Sequence, residues 1–185
     1  MSIVKLLDDV TAWAQHNICD RIMLKVPPEN GGPNDHDYEY RVANPTAFTM
    51  FVPTEDKLPK GVDNTFPSLC VRFLEGVDDL SDKSGTIGIQ LLLSVWNPGF
   101  HDEDSFQRDA GGWRDVWNFA DIAIQTLQST SSIAGYEVDH SVPVKFGPLT
   151  EQDSVPDFYP FWFAWITFQL KYPLRRNTED FQQFL

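Results

Sequence analysis

Cysteine is nearly missing from the chain: Cys19 and Cys70 are the only two in 185 residues. Their distance in sequence leaves neither a CxxC pair nor a zinc-finger spacing, and a disulfide scaffold is excluded. In a cytosolic protein such residues read as reduced, partly buried small hydrophobes. Cations are scarce too, with 14 Lys and Arg against 27 Asp and Glu, a net charge of −13. The deficit is not a tail, because residues 1–90 carry 8 basic and 14 acidic side chains and residues 91–185 carry 6 and 13. Arg175-Arg176 is the only adjacent basic pair, so no face neutralises a run of phosphates. The acidity reads as a solubility device, or as a surface that avoids DNA and anionic lipid. Long apolar runs are absent: the longest, Phe158 to Ile166, falls far short of the roughly 20 residues of a membrane helix. Met1-Ser2-Ile3-Val4-Lys5 leads directly into an amphipathic pattern with Asp8 and Asp9. It lacks an apolar signal core, which predicts a cytosolic chain.

The common chemical signatures are also missing. There is no GxxxxGK[ST] phosphate loop, no GxGxxG after a strand, no GxSxG elbow and no HExxH. The residues therefore predict no catalytic group, no cofactor and no metal. Two acidic-histidine clusters, Asp35-His36-Asp37 and His101-Asp102-Glu103-Asp104, have the donor types of an oxygen-rich divalent site. Adjacent residues rarely converge on one ion, so both read as solvated acidic loops. His16 lies on the polar margin of the first helix, and His140 has no nucleophile near it in sequence. A Cys–His enzyme built on Cys19 or Cys70 would need a proximity that the sequence does not supply.

What is present is a core. The chain is 42% hydrophobic and 14% aromatic, enough for one domain, placed at 1–173, with a C-terminal arm at 174–185. Ile3, Leu6, Leu7, Val10, Trp13, Ala14 and Ile18 recur at helical spacing, and Ser2 precedes them as N-cap, so a helix is expected over 3–18. Ile22 to Val26 reads as a short strand. The polar stretches 27–38 and 99–110 read as long loops, and 53–67, with three prolines, as a further loop. Tyr38 to Val52 is ambiguous, its β-formers interrupted by Asn44-Pro45. Residues 69–74 alternate and 86–96 are rich in β-branched residues, which predicts a long antiparallel hairpin with 75–84 as a polar connection. Trp113, Val116, Trp117, Ala120, Ile124 and Leu127 form an apolar helical stripe over about 112–128. Tyr136 to Phe146 alternates weakly, and Phe158 to Tyr172 is a strong strand that closes at Pro173. Two helices separated by antiparallel strands give an α+β class with a mostly antiparallel sheet.

That last strand carries Phe158, Tyr159, Phe161, Trp162, Phe163, Trp165 and Phe168. Successive side chains alternate, so Trp162, Ala164, Ile166 and Phe168 share one face and Phe161, Phe163 and Trp165 the other. A strand apolar on both faces fits a covered core, a subunit interface or a stacking platform. Trp96, Phe161, Phe163 and Trp165 are the candidate oligomer or partner contacts.

The run Pro67-Ser68-Leu69-Cys70-Val71-Arg72-Phe73-Leu74-Glu75-Gly76, then Gly85-Thr86-Ile87 and the strand to Trp96, form one recognisable block. The helix opening Gly112-Trp113-Arg114-Asp115-Val116-Trp117-Asn118 and the segment Tyr159-Pro160-Phe161-Trp162-Phe163 form two more. Over roughly 66–173, with the N-terminal helix by position, the chain resembles the small tail-terminator (tail-completion) proteins from the head–tail region of long-tailed phages and prophages. The resemblance implies an α+β subunit made in the host cytoplasm and carried in the virion. It implies a homo-oligomeric ring, typically a hexamer, that caps the tail tube, meets the tube protein and the head-connector protein, and passes DNA through its lumen without specific binding. It brings no catalytic residue, no cofactor and no membrane. The 27–38 loop and the middle of the chain are longer than in the shortest members. Within this class a head–tail adaptor or a tube component is the neighbouring reading. From other classes stand a metal-dependent hydrolase or nuclease using the acidic-histidine loops, and a monomeric acidic module that binds a basic protein.

Overall fold

Ser2 starts the first helix by accepting from the Lys5 amide, and Lys5 pairs with Asp9 one turn on at 2.8 Å. In the computed structural model, which describes residues 2–28, 41–102, 105–107, 111–150 and 157–174, this helix is α1 (Ile3–Asn17). It buries Leu6, Leu7, Val10 and Ala14, most of the stripe that the sequence predicts, while Ile3 at its start is 44% exposed. A single 3₁₀ turn, Cys19–Arg21, leads to β1 (Leu24–Val26), which pairs with β2 (Arg41–Ala43) in a separate two-stranded ribbon. The expected strand thus begins at Leu24 rather than Ile22. The interruption at Asn44-Pro45 is structural: the Asn44 amide donates to the carbonyls of Ile22 (2.8 Å) and Cys19 (3.3 Å).

Beyond it, β3 (Thr46–Thr49) joins the main sheet parallel to β4 (Ser68–Asp79), which turns back into β5 (Ser84–Trp96). The long hairpin is present and longer than expected. Residues 75–79 continue the strand, and only 80–83 form the turn. A register shift between Phe73 and Glu75 inserts Leu74 as an extra residue, which breaks the period-2 alternation and disguises the second half of the strand as a polar connection. The stretch 53–67 is irregular apart from a 3₁₀ turn at Glu55–Lys57. Within the expected 99–110 loop, β6 (Phe100–Asp102) pairs with β7 (Ser105–Gln107), so that expectation is corrected. Residues 29–38 of the other polar loop lie outside the described residues.

Helix α2 (Gly111–Ser129) follows, then a tight hairpin of β8 (Ser132–Ile133) and β9 (Tyr136–Val138). β10 (Lys145–Pro148) and the long β11 (Phe161–Pro173) complete the sheet. The weak alternation at 136–146 is two short strands, split where the Asp139 carboxylate accepts from the Ser141 amide at 3.0 Å. The order is β3-β4-β5-β11-β9-β8, with β10 also on β11, and among the described residues only the β3–β4 pair is parallel. The fold is therefore α+β with a mostly antiparallel sheet. Leu174, assigned to the arm, donates its amide to Lys83 (2.8 Å) and packs on the core; residues 175–185 lie outside the described part.

Both helices share one core cluster with Leu69 and Val71 of β4, Ile87 to Val95 at alternate positions of β5, and Ala164, Ile166, Phe168 and Leu170 of β11. The α2 stripe differs from the expected one. Val116, Phe119, Ala120, Ala123 and Leu127 are buried while Trp113 is 54% exposed. Gly112 and the alanines let the backbone approach the sheet, while Trp117 and Ile124 pack against the core only in part. Among the described residues no helix is long and apolar enough to cross a membrane.

Candidate functional site

Because the helices take one face of the sheet, the opposite face is formed by the other set of alternating side chains. Register places Phe161 opposite Trp96, Phe163 opposite Ser94 and Trp165 opposite Leu92. Ser68 and Cys70 of β4 and Phe48 of β3 extend the same face. The four candidate contacts therefore lie together on neighbouring strands. They are not equally available. Trp96 is 2% exposed and enclosed by its own subunit, while Phe161, Phe163 and Trp165 are half-buried. Phe161 packs tilted against Phe66 at 4.8 Å between ring centroids, and Phe163 meets the edge of Phe158 at 5.5 Å. The Trp165 indole donates to the Pro148 carbonyl at 2.9 Å and lies over Gly147, where a Cβ would stand 3.0 Å from it.

At the start of β11 this face runs into a cleft of about 240 Å³. Trp113 and Trp117 of α2 form one wall; Phe158, Tyr159, Phe161 and Phe163 form the other. Among the described residues Asp157 is its only charged lining residue, and the rest of that lining suits an apolar or aromatic side chain.

A buried polar knot holds the cleft's geometry. Asn97 is 4% exposed. Its amide donates to Asp115 of α2 (2.6 Å), its side-chain oxygen accepts from Lys25 of β1 (3.0 Å) and from the Gly99 amide (2.9 Å), and its carbonyl accepts the Trp162 indole N–H (3.1 Å). The Tyr159 hydroxyl donates to the Pro98 carbonyl. One residue thus ties β1, β5, α2 and β11 together. In sequence Asn97-Pro98-Gly99 shows only as a strand terminator. Nothing local marks Asn97 as the junction, because its partners on other elements lie 18 to 72 positions away.

The residues considered for metal or nucleophilic chemistry are dispersed. Asp35-His36-Asp37 and Glu103-Asp104 lie outside the described residues, and His101 and Asp102 enter only as backbone of β6. Among the described residues no group of three metal-ligating side chains converges. His16 is exposed beside Asp20 at 3.3 Å, and the His140 Nε2 stands 3.0 Å from the Thr130 carbonyl. Both cysteines are buried and reduced. Burial pushes the Cys70 thiol up to about 11, with Arg72 opposing weakly, and burial raises Cys19 further. Neither is a thiolate at neutral pH, as a nucleophile would need to be.

No protein-family model matches the chain, and no curated protein matches it.

Proposed function

We propose that the protein is a structural subunit of a phage tail: a tail terminator that closes into a ring, most simply a hexamer, on the end of the tail tube. There it contacts the tube protein and the head-connector protein and passes DNA through its lumen. The observation that carries this reading is the partly open aromatic strip of β11. On the sheet face away from the helices Phe48, Ser68, Cys70, Ser94 and Trp96 are buried, but Phe161, Phe163 and Trp165 stay half-exposed beside an aromatic cleft. Aromatic side chains around a pocket are the residues that dominate protein interfaces. The net charge of −13 supports a surface along which DNA slides without adhering. The sequence blocks at 67–76, 112–118 and 159–163 supply the resemblance to tail terminators.

Electron microscopy of phage tails carrying an epitope-tagged copy tests the proposal, beside native mass spectrometry of the purified protein. A closed ring at the head-proximal end of the tube is expected, weakened by Phe163→Glu. Density along the whole tube would make it a tube component instead. Absence from particles would end the reading.

A further inference from the structure

The aromatic cleft and the end of β11 lie at opposite ends of the sheet. Leu174 marks that end: its amide donates to the Lys83 carbonyl (2.8 Å) at the turn between β4 and β5. The cleft sits around the start of β11, and its rim is open. Trp113 is 54% exposed, Phe158 44%, and Phe146, which meets the edge of Trp117 at 6.3 Å, 52%. Exposed apolar patches of this kind mark contact surfaces. The cleft's volume of about 240 Å³ is below the roughly 300–1,000 Å³ of small-molecule sites, which favours one or two protein side chains over a metabolite.

Residues 175–185 carry side chains of the kind that would fill it. Phe181, Phe184 and Leu185 fall at 0, +3 and +4, the spacing of one helical face, and it is with such a face that amphipathic segments enter apolar grooves. Arg175 and Arg176 balance Glu179 and Asp180, so the segment has no net charge in a chain of −13 and meets a second copy without added repulsion. Length decides between a copy's own cleft and a neighbour's. Phe163, the cleft residue of β11 nearest to Leu174, stands eleven residues back along the strand, about 36 Å at roughly 3.3 Å per residue. Phe181 is seven residues past Leu174 and extends at most about 25 Å from it. The three apolar side chains therefore cannot seat together in their own cleft.

We infer that the cleft receives residues 175–185 of a second copy, with Phe181, Phe184 and Leu185 as the anchors. This deepens the ring reading by naming the seam between subunits, and it rests on that reading only in taking copies of the chain to meet at this face. A contact of this segment with the cleft joins unlike surfaces. Each copy gives one and receives one, and the series closes into a ring when the rotation allows.

The test uses three full-length proteins: wild type, an arm variant (Phe181→Ser, Phe184→Ser) and a cleft variant (Trp113→Ser, Phe158→Ser). An unchanged melting temperature shows that each variant folds. In sedimentation at high concentration, wild type is expected to self-associate and each variant alone to stay monomeric. Their mixture should restore a one-to-one complex, since one retains the cleft and the other the arm. A labelled peptide of residues 175–185 should bind the arm variant saturably by fluorescence anisotropy, with slowed amide exchange in 113–117 and 158–163. The same peptide with both phenylalanines changed to serine should bind about tenfold more weakly; this measurement does not need the cleft variant. A monomeric wild type, a mixture that stays monomeric, an arm variant that associates like wild type, protection mapping elsewhere or equal binding of the serine peptide would overturn the inference. The two readings fail separately. Rings of the arm variant on phage tails would keep the terminator and remove this seam, whereas complementation by a protein absent from particles would keep the seam and remove the terminator.

Discussion

Gly112 opens α2 at the point where the helix comes nearest the sheet, and a Cβ there would sit 2.1 Å from the Trp162 indole nitrogen. The ring cannot swing aside freely, because its N–H is held by the Asn97 carbonyl. Gly112→Ala is therefore expected to cost roughly 2–3 kcal/mol through overpacking, a fall in melting temperature of roughly 5–10 °C for a chain of this size. A calorimetric scan checks it, and an unchanged midpoint would contradict the close approach. Asp139 makes a second residue-scale case. Its side chain is 5% exposed, it accepts from Lys171 at 2.7 Å, and this bond, with the Ser141 hydroxyl, holds its carboxyl below the usual carboxylate range. A carboxylate with a lowered folded pKa stabilises above its unfolded value of about 3.9, and that contribution disappears as pH falls through the folded value. Asp139→Asn should thus lower the urea midpoint at neutral pH, and the gap to wild type should narrow below about pH 4. A gap that is constant with pH would mean the carboxylate charge contributes nothing.

At the scale of elements, the β8–β9 hairpin is closed by Ala134 and Gly135, with φ of +49° and +88°. Two positive values in a two-residue loop define the turn that favours Asn-Gly, and alanine is the less suitable occupant of its first position. Ala134→Asn is expected to stabilise by a few tenths to about 1 kcal/mol, read as a raised urea midpoint. A destabilised variant would show that the turn is of another kind. The hairpin has a sequence signal in Ala-Gly between β-formers, overshadowed by the serine-rich stretch before it. β5 is the contrasting element. It is paired along its whole length by β11 and from Ser84 to Ser94 by β4, and Ile87, Ile89, Leu91, Leu93 and Val95 are all at most 1% exposed. That continuous apolar pattern was legible, whereas the far half of β4, with its polar outer residues and its bulge, was not.

The whole molecule carries a net negative charge and an aromatic strip on β11 that its own packing covers only in part. With −13 charges spread over both halves of the sequence, the free protein should give no saturable shift of duplex DNA at about 0.15 M salt, where screening extends over about 8 Å. Micromolar binding in a gel-shift titration would contradict a lumen that DNA passes without adhering.

The sequence by itself determined the class of the fold, the two helices, the long hairpin and the aromatic strand, because each is set by local periodicity: 3.6 residues for a helix, two for a strand. It also determined the charge, which depends on composition alone. The tertiary structure decided which aromatic side chains are enclosed and which remain at the surface. Trp96 and Phe161 stand opposite each other in the sheet, yet one is sealed and the other half-open. Only the packing of distant segments separates them. The α2 stripe was decided in the same way: which side chains are buried follows the closest approach that Gly112, Ala120 and Ala123 permit, and that is a property of the sheet beneath. The Asn97 junction likewise exists only once segments far apart in the chain are brought together.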